Sequence, residues 1–504
     1  MGIKKQFFNT VLLVLFGIIA AKGQENIQLL TFEDALKIMT EQNPALQQAK
    51  QQIKQKEYEL KVKRGLYMPQ VSLSANAVSM SEMLHLDLNP VKDAITQLYS
   101  ALGTYGEFSG VPNPDPTTNT ILPILPDNIS TAAVREQLLE GGQEIANANW
   151  DEVIQEKNFA TVSADVMWPL FTGGKIKGAN DAAAVNISIS REELRETQGE
   201  LLSELATRYY GLSLGIQILE VRQQMLTAVD HHFSDAQKLF DNGIIAKVEL
   251  LHANVSRNEA EREVKQAERN IKIIRAGLDA TLAFDSAAIV QPASQLFINK
   301  ELSDVSFWVL QANNDNPQIK QIQGKSELIN IKHKVDKGNY LPTVAMIGTY
   351  NLAEKNLSPY MPDWMVGIGM KWSVFEGLGR ANQLKASETM RSQINFANQK
   401  AEADLKAYLT KLYQELQMQM EQKSELESTL ELAKEYASSN EKAFNEGLTT
   451  STSVVDAFTK VAQVQALRLK VFYDYDVTLA KLLQTAGVPE QYMAFCAGEN
   501  TINE

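Results

Sequence analysis

The sequence predicts an α+β protein in which a few amphipathic strands alternate with very long helices, and three observations predict it. The chain states its plan twice. Two pairs of short segments alternate between apolar and polar with a period of two. Each pair is followed by a helical stretch too long for a compact globule. Arg64-Gly65-x-Tyr67-x-Pro69-x-Val71 returns 273 residues later as Lys337-Gly338-x-Tyr340-x-Pro342-x-Val344, and Asn43-Pro44 returns at the same offset as Asn316-Pro317. Trp168-x-x-Phe171-x-Gly173 returns 204 residues later as Trp372-x-x-Phe375-x-Gly377, together with Tyr209/Tyr413, Phe240/Phe444 and Gly243/Gly447. A duplicated unit points to a pseudo-symmetric scaffold rather than to a single catalytic cleft. The two offsets differ by 69 residues, an excess that lies in the first half between Val71 and Trp168.

The elements follow in order. Lys4 and Lys5, an apolar run to Ala21 and the small residues of Ala21-Lys22-Gly23 read as an export signal over 1–23, with a mature start near Gln24. No cysteine lies there to carry a lipid. From Thr31 the pattern is helical, with Phe32, Ala35, Leu36 and Met39 on one face. Thr31 with Asp34 is a capping pair, and Asn43-Pro44 breaks and restarts the helix. Past Pro69 the period changes to two. Val71, Leu73, Ala75 and Ala77 alternate with Ser72, Ser74 and Asn76, and Val162, Ala164, Val166 and Trp168 alternate with Thr161, Ser163 and Asp165. The second half repeats this with Val344, Met346, Gly348 and Tyr350, then Trp364, Val366, Ile368, Met370 and Trp372.

Strands with one apolar and one smaller, polar face, and aromatics towards their ends, suit a membrane β-barrel. A soluble sandwich shows similar alternation, but the export signal and the lack of a later 18-residue apolar run favour the barrel. Four strands are too few to close one, so strands must be pooled across copies of the chain. Proline-free helices then run over Ile176–Phe240 and Arg380–Phe444, each roughly 95 Å long at about 1.5 Å per residue. Such helices need neighbours along their length, as in a coiled coil. Turns at Asn242-Gly243 and Gly447 lead into helices over Lys247–Phe284 and Ser451–Ala486. Residues 286–316 read as a strap between halves. The 69-residue excess falls in an insertion over 81–157, proline-rich at its centre, with weak helical pieces near 91–102 and 131–147. It reads as a cap at one barrel end or as an ordered decoration.

Composition narrows the function. Net charge is −13, and no basic stripe with interleaved aromatics exists, so nucleic acid is not an expected partner. The acidic balance suits a surface that repels anions, or plain solubility. Cys496 is the single cysteine, which leaves stability to packing and assembly. The five histidines, His85, His231, His232, His252 and His333, show no metal-ligand spacing, and His231 with His232 is expected on a solvated helix face. Gly173-Gly174-Lys175 lacks the spacing of a phosphate loop, and no nucleophile elbow or Ser-x-x-Lys context is present. No catalytic residue, cofactor or metal is expected.

Helix, two strands, long helix, glycine turn and long helix, done twice behind an export signal, resembles the TolC-like outer-membrane efflux family. The match covers the mature chain except the insertion. Its local motifs are Tyr-x-Pro into a strand, Phe-x-Gly into a helix and Phe-x-x-Gly at a helical turn. The resemblance implies a homotrimer giving four strands per chain to a twelve-stranded outer-membrane barrel, continued by a periplasmic α-helical barrel. It also implies docking to a periplasmic adaptor and an inner-membrane transporter, with barrel-interface aromatics at Trp168, Tyr350, Trp364 and Trp372 against outer-membrane lipid. By the same resemblance, Phe240, Gly243 and Glu249 belong to the adaptor-facing hairpin. Phe444, Gly447, Thr449, Ser453 and Asp456 belong to the hairpin at the periplasmic constriction. Ser453 stands where some relatives place an acid and Thr449 where some place a basic latch, so Asp456 alone carries the carboxylate. Asp456 on a solvated surface is the plain alternative. On this reading residues 24–285 and 317–488 are two efflux repeats, joined by 286–316 and followed by a tail over 489–504. The rival reading is a periplasmic or surface coiled-coil protein without channel activity, which leaves the paired strands unexplained.

Overall fold

The computed structural model describes residues 27–105, 110–112, 117, 121–123, 131–284, 289–299 and 302–496. The expected export signal over 1–23 and the end of the expected tail over 489–504 lie outside these residues. The chain divides into a helical unit, residues 1–63, 177–338 and 377–504, and a strand-bearing unit, residues 64–176 and 339–376.

In the helical unit, β1 (Ile27–Leu30) pairs in parallel with β8 (Ile289–Pro292). Helices α1 (Phe32–Gln42) and α2 (Pro44–Gly65) follow β1, the second running into the strand-bearing unit at its last two residues. The Thr31 hydroxyl accepts the Asp34 amide at 3.1 Å, the cap expected from sequence. The strap holds, besides β8, helix α7 (Val305–Asp315), which runs into α8 (Pro317–Gly338). These two helices repeat α1 and α2 residue for residue at the 273-residue offset, with lengths of 11 and 22 residues in both halves. The Asn-Pro break between them is also a tie. Asn43 Nδ2 donates to the Thr281 carbonyl at 2.9 Å, and Asn316 Nδ2 donates to the Thr485 carbonyl at 2.8 Å. Each Asn side-chain oxygen meanwhile accepts an amide of the restarted helix.

The long elements are duplicated as closely. Helices α5 (Lys175–Asp241) and α9 (Gly379–Asn445) have 67 residues each, and α6 (Lys247–Leu282) and α10 (Ser451–Ala486) have 36 each. At about 1.5 Å per residue the long pair spans roughly 100 Å. Among the described residues, no helix is long and apolar enough to cross a membrane.

The core sits where these helices meet the strap. Phe32, Tyr209, Tyr210, Phe297, Tyr475 and Tyr492 are all buried and touch edge-on or tilted, with Phe32 stacked on Tyr210 at 5.4 Å. The Tyr209 hydroxyl donates to the Leu30 carbonyl at 2.6 Å and accepts the amides of Ala293 and Ser294. It thereby fastens β1 and the strap to α5. Asp476 of α10 is wholly buried, with neither carboxyl oxygen hydrogen-bonded. Burial holds its pKa well above the ordinary carboxylate range, and the nearby Phe297 amide offsets this only in part. The chain ends its described part with a 3-10 turn over Pro489–Gln491 and the short helix α11 (Tyr492–Cys496).

In the strand-bearing unit, β2 (Gln70–Ser79), β7 (Asn158–Phe171), β9 (Thr343–Lys355) and β10 (Trp364–Lys371) form one antiparallel sheet in the order β10-β9-β7-β2. Register carries the sequence alternation through the sheet. Val71 lies opposite Val166, Val166 opposite Gly348, and Gly348 opposite Val366, all on the apolar face. Ser72 lies opposite Asp165 and Asp165 opposite Thr349, on the polar face. The insertion between β2 and β7 is an antiparallel ribbon of β3 (Leu84–Asp87) with β6 (Asp151–Gln155), carrying helices α3 (Asn89–Tyr105) and α4 (Thr131–Asn147). The short pair β4 (Gly110–Pro112) with β5 (Ile121–Pro123) completes its described part. The helices lie where the weak helical signal fell; the ribbon carried no signal that sequence reading used.

Candidate functional site: the helical tip and the strand girdle

Both helical hairpins turn by the same device. Gly243 has φ +76° and Gly447 φ +75°, and no atom approaches within 4 Å of the Cβ either would carry. The Gly243 amide donates to Phe240 and the Ile244 amide to Leu239; the Gly447 amide donates to Phe444 and the Leu448 amide to Ala443. This pair of bonds closes a helix C-terminus around a left-handed residue, which glycine adopts without a Cβ penalty. The repeated Phe-x-x-Gly spacing is thus a helix-ending motif, with Phe three residues before the left-handed position.

The two tips are fastened to each other. Ser451, the first residue of α10, is wholly buried. Its amide donates to Glu249 Oε2 at 2.8 Å, and its hydroxyl lies 2.7 Å from His232 Nε2. A carboxylate at a helix N-terminus meets unpaired amides and the positive end of the helix dipole. Glu249, at the tip of the first hairpin, therefore caps α10 of the second. The His232 ring lies edge-on to Phe444 at 4.6 Å. Ala236, Ala253, Phe444 and Val454 form the small buried core beneath them.

One expectation changes here. His232 is not on a solvated face: it is 3% exposed, and burial lowers its pKa to about 4, against the opposing pull of Asp235 and Glu249. The signal for this was its spacing, since Val229, His232 and Ala236 lie on one buried stripe. Phe444 is 2% exposed and packs in the core between the two hairpins, where an apolar ring is shielded from water.

The remaining tip residues divide cleanly. Thr450 caps α10 by accepting the Ser453 amide at 3.3 Å, and the two hydroxyls lie 3.1 Å apart, so Ser453 is engaged by the cap. Asp456 is exposed, on a stripe with Thr452 and Lys460 that faces away from the tip core. Phe240 and Thr449 are half-buried, and Gly243 and Gly447 exposed. Among the described residues, no group of histidines, cysteines and carboxylates is placed to hold a metal.

The strand girdle is duplicated as well. Trp168 Nε1 donates to the Tyr67 carbonyl at 3.0 Å, and Trp372 Nε1 donates to the Tyr340 carbonyl at 3.1 Å. Each indole thus ties the end of one strand to the start of its neighbour. Tyr350 lies opposite Trp364 at the other end of the β9–β10 pair. Trp364 and Trp372 are separated by about 27 Å along the chain, at about 3.4 Å per residue. Between these levels the apolar face is exposed, with Val71, Leu73, Val366, Ile368 and Met370 each 63–73% accessible. On the polar face, Asp165 accepts hydrogen bonds from Ser74, Ser163 and Thr349.

A sheet with one bare apolar face suits a membrane β-barrel, and helical hairpins of such length suit a coiled-coil tube. The chain belongs to the outer membrane efflux protein family, whose sequence profile matches residues 146–283 and 308–488. That family is one of transport channels of the outer membrane rather than a class of enzymes. The fold is similar to that of the outer membrane protein VceC from Vibrio cholerae, at TM-score 0.66 and 12% identity, covering 91% of this chain and 96% of that one. It is similar to the CmeC outer membrane channel of Campylobacter jejuni, at TM-score 0.66 and 11% identity, covering 96% and 95%. It is also similar to the open state of the MtrE outer membrane channel of Neisseria gonorrhoeae, at TM-score 0.64 and 11% identity, covering 91% and 89%. No curated protein matches the sequence.

Proposed function

We propose that three copies of this chain form one exit duct, each giving four strands to a twelve-stranded outer-membrane barrel. The helical hairpins of the three copies then make a periplasmic tube. Its tip receives cargo from an adaptor protein and an inner-membrane transporter, and the cargo leaves without chemistry. One observation carries this reading: the four-stranded sheet ends in two bare edges, β2 and β10, and exposes a continuous apolar face. Unpaired strand edges are costly in lipid and bare apolar surface is costly in water, and a closed barrel set in a bilayer removes both costs. Trp168, Trp372, Tyr350 and Trp364 are then interface aromatics at the two lipid boundaries.

At the tip, exposed Gly243 and half-buried Phe240 offer the adaptor a surface, while Asp456 supplies a carboxylate to each of three copies at the lumen. Like charges gathered in a narrow ring favour cations over anions. Purification in detergent with mass measurement by light scattering tests the assembly, and conductance in planar bilayers tests the duct. The expected results are a trimer and discrete conductance steps. A monodisperse folded monomer, or trimers without conductance, overturns the reading.

A further inference from the structure

The insertion holds the most uneven surface of the chain. Residues 81–157 carry twelve acids against three bases, a net charge of −9 within a chain of −13. Among its described residues, none is a buried apolar side chain. Its frame is nevertheless firmly set. The Asp87 carboxylate accepts the Asn89 amide at 2.9 Å as α3 begins, and the Leu88 amide donates to the Trp150 carbonyl at 2.8 Å. Trp150 Nε1 donates to the Ile145 carbonyl at 3.0 Å, which holds α4 to the ribbon. Gln155, at the foot of the ribbon, donates to the Asn356 carbonyl and accepts the Ser358 amide, each at 2.8 Å. The insertion is thereby tied to the loop between β9 and β10.

The two helices of the insertion use their faces differently. Helix α4 is an ordinary amphipathic helix. It turns Gly141 and Gly142 to Tyr99 of α3, and exposes Glu136, Glu140 and Glu144, spaced four residues apart. Among the described residues, none of these three carboxylates is held in an ion pair. Helix α3 has two apolar faces. One lies on α4, where a Cβ on Gly103 would stand 3.2 Å from Leu139. The other, formed by Val91, Ala94, Leu98, Ala101 and Leu102, is bare, with the three large residues 46–56% exposed. Its steps of three and four residues trace one helix face about 16 Å long, at about 1.5 Å per residue. Such a stripe receives the apolar ridge of another helix.

Charge decides which helix. A second copy of the chain would bring a further −9 to the same place, and an anionic lipid surface would meet the bare acids of α4. A helix that lies in a membrane surface carries Lys and Arg beside its apolar face. Helix α3 has only Lys92 to offer, next to Asp93. We infer that α3 and α4 form a docking platform for a basic amphipathic helix of a partner protein. The partner's apolar ridge lies along Val91, Leu98 and Leu102, and its lysines or arginines meet the carboxylates of the insertion. The platform is fixed before the partner arrives, so only the partner has to be ordered. Each copy carries a whole platform, so docking does not depend on how many copies assemble.

The probe is a labelled synthetic peptide of three heptads, with leucine at positions a and d and lysine at most others. Its binding to the full-length protein in nanodiscs of zwitterionic lipid is followed by fluorescence anisotropy, with empty nanodiscs as the blank. Saturable binding is expected, and Val91→Ser with Leu98→Ser, both surface changes, should weaken it about tenfold or more. Glu136→Gln with Glu140→Gln and Glu144→Gln should also weaken it at low salt, the difference closing as salt screens the charges. On the parent protein, peptides with serine for leucine or glutamate for lysine should not bind. Equal affinity of the parent and the serine variant overturns the platform, as does the absence of saturable binding. Oxidative crosslinking of Leu98→Cys between copies, beyond that of the parent with its Cys496, overturns it too, since a second copy then covers the stripe.

Discussion

Helices α5 and α9 have the same length, the same place in the repeat and the same motifs at both ends, yet they live in different surroundings. Twenty residues of α5 are buried within the chain, against eight of α9. From Gly379 to Tyr408, the only buried residue of α9 is Ser387, which the His333 ring holds at 2.9 Å. The sequences answer to this. Where α5 places Gly178, Val185 and Ile189 against α8, α9 places Asn382, Thr389 and Gln393. Duplication preserves backbone plan and register, while side-chain polarity diverges according to whether a seam is made inside one chain. Glycines that permit close helix approach survive only in the inner seam.

The comparison breaks most visibly at the helix ends. Gly487 caps α10 at φ +80°, and a Cβ there would lie 2.4 Å from the Asp315 carbonyl group. Its first-half copy, Ala283, adopts φ 53° and keeps its Cβ. Gly487→Ala should therefore cost about 3 kcal/mol or more, because rigid backbone must move as well as a left-handed alanine be tolerated. Thermal unfolding of the purified protein reads this; an unchanged midpoint would show that the close approach is not needed.

Next in size is an exchange between the seams. Gly178→Asn gives α5 the residue of its copy and forces a side chain onto Val335, for an expected loss of about 1–3 kcal/mol. The reverse change, Asn382→Gly, lies on a face exposed within the chain and should cost only about 0.3–0.5 kcal/mol, the difference in helix propensity between the two residues. Equal losses in chemical denaturation would mean that the two seams are packed alike.

Titration separates the tip from the strap region, since each buries one ionisable group in an unfavourable setting. His232 has a folded pKa of about 4 against an ordinary value of 6.5, so its contribution to stability is lost as pH falls through that window. Melting curves of His232→Gln should show a smaller decline on acidification than those of the parent. Asp476 is raised, so stability falls as pH rises above the ordinary carboxylate pKa. Asp476→Asn should flatten that slope and melt higher at neutral pH. If either variant tracks the parent at every pH, that group does not govern its region.

The smallest structural effect belongs to Asp456, an exposed residue whose neutralisation should change stability by less than about 0.5 kcal/mol. Its expected effect is on conduction: Asp456→Asn reduces cation preference in planar bilayers. Lys460, one helical turn along the same exposed stripe, should act in the opposite sense. Unchanged reversal potentials in the Asp456 variant would place the selective constriction elsewhere.

Much of this was legible in the residues. Helix starts and stops were signalled by Thr31, by Asn43-Pro44 and its copy, and by the two Phe-x-x-Gly turns. Strand faces followed from strict alternation, because a period of two cannot bury the same residues as a period of 3.6. The position of the insertion followed from the two unequal offsets. Local chemistry and spacing suffice for such features. The tip resisted reading for a physical reason: Phe240 and Phe444 are the same residue in the same motif, and only the neighbouring hairpin decides that Phe444 is buried. Likewise nothing local reveals that Glu249 caps a helix 202 residues away, or that His232 meets Ser451. The sequence by itself determined the duplication, the element order and the apolar face of the sheet, since each is a periodicity carried along the chain. Tertiary structure alone decided which copy of each repeated residue is covered, because burial depends on neighbours brought together from distant positions.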